Sequence, residues 1–175
     1  MKIACLGWGS LIWKPGALPL ASDWFIDGPH LPIEFSRVGD GGELATAICL
    51  NAPPCQVYWS VLDVQSVEQA VAALREREQI PPDRHDGIGI YALNSGTMGV
   101  LGKWAADRQL DAVVWTALPP RFQHTEGLIP SLDDALGYLG SLDGETLEHA
   151  KSYIEQVPVQ IDTPYRREIR KLRWA

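Results

Sequence analysis

Between Ile3 and Leu62 four strand-forming runs follow one another, and no helix-forming stretch lies between them. Ile3–Leu6 is a short apolar run, Leu31–Val38 reads as extended, Leu44–Leu50 as a buried strand, and Gln56–Leu62 is rich in β-branched and aromatic residues. Gly39–Gly42 and Pro53–Pro54 punctuate them. Strands that follow one another without helices cannot make the crossovers of a doubly wound parallel sheet. The expected class is therefore α+β, with a mixed, largely antiparallel sheet or small barrel and flanking helices.

Helices are expected afterwards. Ser66 with Gln69 three residues on fits a capping box, and the helix it opens runs to about Glu78 before Pro81-Pro82. Gly87–Leu93 and Asp111–Leu118 read as strands, with a short helix near Val100–Arg108 between them. Helices are expected over Leu132–Leu139 and Glu145–Glu155, and a last one opens at Thr163 with Pro164 in its first turn. With 175 residues, no repeat and no linker, the chain reads as a single domain over residues 1–175.

A net charge of −7 argues against nucleic acid or an anionic membrane as the main partner, since both call for a basic surface. No apolar run approaches bilayer length and no signal-like start is visible. Cys5, Cys49 and Cys55 are an odd number without CxxC spacing, which reads as reduced thiols in a cytoplasmic protein. Cys5 and Cys49 fall in expected strands and read as core; a Cys/His nucleophilic pair has no local signature. His30, His85, His124 and His149 have no ligand spacing, so a metal site is not expected.

The first strand breaks into LGWGSLIWKPG, Leu6 to Gly16. A dinucleotide fingerprint needs a third glycine where Ile12 stands, and a long helix where Pro15, Gly16 and Pro19 stand. A P-loop fails as well, for want of Gly-Lys-Ser/Thr. Two readings remain. One is a tight turn that directs successive backbone N–H groups into a concavity fit for a carboxylate or oxyanion. The other is a tight turn with Trp8 and Trp13 packed on the core.

Val67, Ala70, Val71 and Leu74 form an apolar helical stripe. At about 100° per residue, Glu78 lies within ~20° of Val67 on that stripe, whereas Glu76 points away. An inward carboxylate is costly unless paired or used, and burial would suit it to general-base work. Pairing with Arg77 or Arg84, or fraying at the helix end, is the alternative.

Together these features resemble the gamma-glutamylcyclotransferase superfamily, and its ChaC branch most closely. Gly7-Trp8-Gly9-Ser10-Leu11-Ile12-Trp13 is similar to the G-Y-G-S-L-I-W of ChaC-like proteins. Phe35-Ser36-Arg37 is comparable to the family's strand with a Ser-Arg pair, and Leu74-Arg75-Glu76-Arg77-Glu78 to its L-D-x-R-E signature. The match covers roughly the first half of the chain. The resemblance implies a cofactor-free lyase of the gamma-glutamylcyclotransferase type, connected with glutathione metabolism. Its substrate would be a small gamma-glutamyl molecule, cyclised to 5-oxoproline with release of the amine or peptide behind it. Glu78 would be the catalytic acid/base. The backbone of Gly7, Trp8, Gly9, Ser10 and Leu11 would hold the glutamyl end, Ser10 adding a hydroxyl, and Arg37 would pair with a carboxylate if it faces the cleft, or else is a surface arginine. Two departures leave the leaving group open: Trp8 replaces the family's tyrosine, and Gln79-Ile80-Pro81-Pro82 replaces the Gly-Gly-Tyr after the glutamate. A non-catalytic binding or interaction module on the same fold is the competing expectation. The basic stretch Tyr165–Trp174 reads as a solvated helix with Ile169 and Leu172 inward, or as a cover that binds an anionic substrate.

Overall fold

The computed structural model describes residues 1–93 and 99–173. It is an α+β protein with two mixed sheets and flanking helices. The chain clusters into two compact units. One comprises Met1–Gly7, Leu11–His30 and Gln56–Leu118; the other comprises Trp8–Ser10, Leu31–Cys55 and the chain from Pro119 onward.

The first unit is built on a four-stranded sheet. Its interior strand β1 (Ile3–Gly7) is buried at all five positions, the uninterrupted apolar pattern of a strand covered on both faces. On one side β1 pairs antiparallel with β5 (Tyr58–Val61), Cys5 opposite Ser60; on the other it runs parallel to β7 (Ala112–Thr116), Cys5 opposite Val114. β6 (Ile88–Ala92) adds antiparallel to β7 at the edge. The opposite edge, β5, is covered by an irregular segment: Phe25 and Trp59 exchange backbone hydrogen bonds of 2.7 and 3.1 Å, and the Ala21 amide donates to Val61. Helix α1 (Val67–Glu78) packs Ala70 and Leu74 against Ile3, Cys5, Ala112 and Val114, with Leu11 and Leu18 completing that core. Helix α2 (Val100–Asp107) buries Trp104 and Ala105.

Both ends of α1 are set locally. Ser66 caps the start, its hydroxyl accepting from the Gln69 amide, while the Gln69 side chain reaches one residue further back and accepts from the Gln65 amide at 2.7 Å. At the other end Gln79 takes a left-handed conformation, φ +54°, and the Ile80 amide closes onto the Arg75 carbonyl at 3.0 Å. That is the Schellman type of ending. The helix therefore stops before Pro81 is reached, and Glu78 is its last residue.

In the second unit, β2 (His30–Val38) pairs antiparallel with β3 (Leu44–Ile48) and takes a short strand, β4 (Pro54–Gln56), beside it. Phe35 faces Thr46 and Arg37 faces Ala45, so Ser36 is the extra residue of a bulge. β8 (Arg121–Phe122) and β9 (Thr125–Glu126) form a small hairpin, with β8 parallel to β2. Helix α3 (Leu132–Gly140) opens with a full capping box, Ser131 with Asp134. Helix α4 (Gly144–Gln156) packs on β3, and α5 (Pro164–Ile169) lies against α3.

Three boundaries differ from the sequence reading. The expected strand Leu44–Leu50 stops at Ile48, and Leu50 is exposed. The expected strand Gln56–Leu62 is shorter, because Pro54–Gln56 pairs with β2 while Tyr58–Val61 pairs with β1. The basic C-terminal helix is only six residues long, and its Arg166 is buried rather than solvated. The Arg166 guanidinium donates to the carbonyls of Ile154, Val157, Pro158 and Ile161 at 2.5–3.0 Å, closing the end of α4. Ile169 is buried and Leu172 half-buried; Trp174 lies outside the described residues. No helix among the described residues is long and apolar enough to cross a membrane.

Candidate active site

Gly7, the last residue of β1, and Gly9, in the loop that follows, are required by close approach. Neither has a positive φ. A β-carbon at Gly7 would lie 2.7 Å from the Trp24 ring. At Gly9 it would lie 2.6 Å from both the Thr46 and the Tyr153 hydroxyl oxygens. Those hydroxyls form a directed chain within the second unit: the Thr46 amide donates to Tyr153 Oη (3.1 Å), Tyr153 Oη to Thr46 Oγ1 (3.0 Å), and Thr46 Oγ1 to the Trp8 carbonyl (3.0 Å). Among the described residues, the amides of Trp8, Gly9 and Leu11 donate to no other group of the protein. Donors of this kind in a buried backbone call for an acceptor.

The side chains of the loop are less open than its amides. Trp8 is 5% exposed and Leu11 6%, Leu11 belonging to the core of the first unit; Ser10 is half-buried. Trp24 meets Gly7 with the benzo edge of its ring, and its indole N–H is buried without a partner among the described residues.

Glu78 and its surroundings belong to the first unit. Its side chain is 16% exposed, whereas Glu76 lies exposed on the other face. Arg77 Nη1 contacts Glu78 Oε1 at 3.1 Å. The same guanidinium grips the loop after β1, Nε and Nη2 both donating to the Lys14 carbonyl, at 3.1 and 2.7 Å. Its aliphatic stem lies beside Gly16, which has φ +60°. Arg84, the other expected partner of Glu78, pairs with Asp86 instead.

Cys5 feels this pair from β1. Burial and then the Glu78 charge push its thiol far above the usual range, with Arg77 acting weakly the other way. Cys5 therefore stays a thiol at neutral pH, unsuited to nucleophilic work. Cys55 is pushed up to about 11, by burial first and by Glu34 second. All three cysteines are buried and unbridged. Among the described residues no group of three His, Cys, Asp or Glu side chains is arranged to hold a metal.

Arg37 is engaged by the protein itself. Its two terminal nitrogens meet both oxygens of Glu126 at 2.8 and 3.0 Å, and Nη1 also donates to the Pro119 carbonyl. The bulge at Ser36 sets the register in which Arg37 pairs alongside Arg121 of β8.

Thr46 and Tyr153 were not distinguished by the sequence, which named Arg77 only as a pairing partner for Glu78. The grip of Arg77 on the Lys14 carbonyl has no sequence signal, and neither has the use of the Arg75 guanidinium on the Arg84 carbonyl. No family model matches the chain, and no curated protein sequence matches it.

Proposed function

We propose that the protein is a gamma-glutamylcyclotransferase-like enzyme, of that family's fold, which cyclises a gamma-glutamyl amide or peptide to 5-oxoproline. The observation that carries this reading is the setting of Glu78. A carboxylate on the last residue of α1 is turned inward, largely screened from water, and tied through Arg77 to the loop that follows β1. The conformation of Gln79 supports it as well. Its φ of +54° is one that glycine adopts without strain, and the family pattern has glycine at this place.

The chemistry asks little of a cofactor, since the nucleophile belongs to the substrate. The substrate's α-amine attacks its own γ-carbonyl, a ring C–N bond forms, and the amide C–N bond to the leaving amine breaks. Glu78 takes a proton from the attacking amine and returns one to the leaving nitrogen, a role worth about 10²–10⁴-fold. Amides of the stretch from Gly7 to Leu11 serve as donors to the glutamyl carboxylate or the developing oxyanion, with Ser10 and its hydroxyl among them. Trp8 contributes its backbone, its side chain being buried. Holding the chain in ring-closing geometry supplies up to about 7–11 kcal/mol in favourable cases.

The test is incubation with a panel of gamma-glutamyl amines, amino acids and peptides, reading 5-oxoproline by mass spectrometry. The parent is expected to release it from at least one compound. Glu78→Gln is expected to fold normally and to lose at least about 10²-fold of that activity. Equal activity in the two proteins removes Glu78 from the mechanism. A blank across the panel favours the second reading, a non-catalytic small-molecule binding module, which the Arg77–Glu78 ion pair also accommodates.

A further inference from the structure

Arg77 makes more contacts to the candidate site than any role in helix formation requires. An arginine in the last turn of a helix is favoured by the helix dipole wherever it points. Arg75 has the same advantage and spends its guanidinium on the Arg84 carbonyl, at 2.7 Å. Arg77 instead turns back along the loop after β1, stacks its stem beside Gly16, and places two donors on one carbonyl, that of Lys14. Its third nitrogen is left at 3.1 Å from Glu78 Oε1, with both side chains about 15% exposed.

We infer that Arg77 is the positioning residue for Glu78: anchored on the Lys14 carbonyl, its guanidinium fixes the direction of the carboxylate and keeps it ionised, ready to accept a proton. This rests on the reading of Glu78 as the base, but its physical content does not depend on turnover. The geometry suits arginine alone. Its planar fork serves a carbonyl and a carboxylate at once, whereas lysine offers a single point of charge. An opposite charge this close to a shielded carboxylate favours the charged form, typically by one to three pH units. The two donors on the Lys14 carbonyl also tie the chain at Lys14 to the end of α1.

The experiment compares the parent with Arg77→Met, Arg77→Lys and Arg75→Met. In protein carrying ¹³C-labelled glutamate, the Glu78 carboxyl resonance is assigned by its absence from Glu78→Gln and followed through a pH titration. Its midpoint is expected to rise by about one pH unit or more in Arg77→Met. It should return towards the parent value in Arg77→Lys and stay put in Arg75→Met. Amide hydrogen exchange of the peptide over residues 11–18 is expected to speed up about tenfold or more in both Arg77 variants, because lysine restores the charge without the double grip on Lys14. Where the parent makes 5-oxoproline, Arg77→Met should lower kcat/KM by about 10²-fold, and the acid limb of its pH profile should move upward with the Glu78 midpoint. A Glu78 resonance that titrates alike in parent and Arg77→Met overturns the inference, as does loop exchange that is unchanged. Absence of 5-oxoproline from the parent overturns the catalytic reading alone, and the titration and exchange comparisons still decide whether Arg77 positions the carboxylate.

Discussion

A β-carbon at position 9 would crowd two hydroxyl oxygens that are already committed, since Tyr153 donates to Thr46 and Thr46 donates to the Trp8 carbonyl. A flexible side chain could give way; these groups are held by β3 and α4 and by each other. Gly9→Ala is therefore expected to destabilise the protein by about 1–3 kcal/mol, the range for overpacking a filled interior. A urea transition shifted to lower midpoint with unchanged slope would register it. A Gly9→Ala protein as stable as the parent would mean the loop has room that the hydroxyl chain denies. That Gly7 and Gly9 matter was legible from their spacing after a strand. Why they matter was not, because the crowding atoms come from residues such as Thr46 and Tyr153, far away in sequence. The same holds for Arg77: a sequence displays its charge but not the main-chain carbonyl that receives it, since every residue has one.

Helix α1 shows how far an element can be read from its own residues. The Ser66 cap, the buried stripe through Ala70 and Leu74, and the opposed directions of Glu76 and Glu78 follow from helical geometry alone. Its end is decided differently, by Gln79 in the left-handed region, where a side chain carries a penalty that glycine does not. Gln79→Gly is accordingly expected to stabilise the protein by about 0.5–1 kcal/mol, measured as a higher urea midpoint, while leaving α1 at its present length. A lower midpoint would show that the Gln79 side chain contributes more than its backbone costs. The hairpin of β8 and β9 lay beyond sequence reading, since its turn residues Gln123 and His124, at φ +51° and +61°, are not the Asn-Gly type that announces such a turn. The irregular cover of β5 by Ala21 and Phe25 has no alternation to reveal it. Arg166 defeated the charge pattern altogether: the donors look like those of any solvated arginine until four carbonyls close around them.

Over the whole molecule, two carboxylates of opposite character give the two units opposite responses to acid. In the first unit, Asp27 is held below the usual carboxylate range chiefly by hydrogen bonds from the Trp59 indole and the Arg108 guanidinium. Arg108 in turn stacks 4.8 Å over Trp104, so the ion pair fastens the segment around Asp27 to β5 and α2. In the second unit, Glu34 is buried and pushed above its ordinary value by that burial, even though the Thr163 hydroxyl and the amides of Phe35 and Tyr165 donate to it. The signs follow from linkage. Asp27, depressed in the fold, contributes stability that is complete above its unfolded value near ~4 and is lost as pH falls through the lower folded value. Glu34, raised in the fold, contributes most when protonated, below its unfolded value, and that contribution is lost as pH rises through the higher folded value. Between pH 5 and about 2.5, the segment over residues 21–28 should therefore lose exchange protection, after correction for intrinsic rates, ahead of β2 and α5. Asp27→Asn should show the looser segment already at pH 7 and respond less to acid. Protection that disappears first around Glu34, with the Asp27 segment intact, would reverse this order and show that the three donors to a charged Glu34 outweigh the cost of its burial.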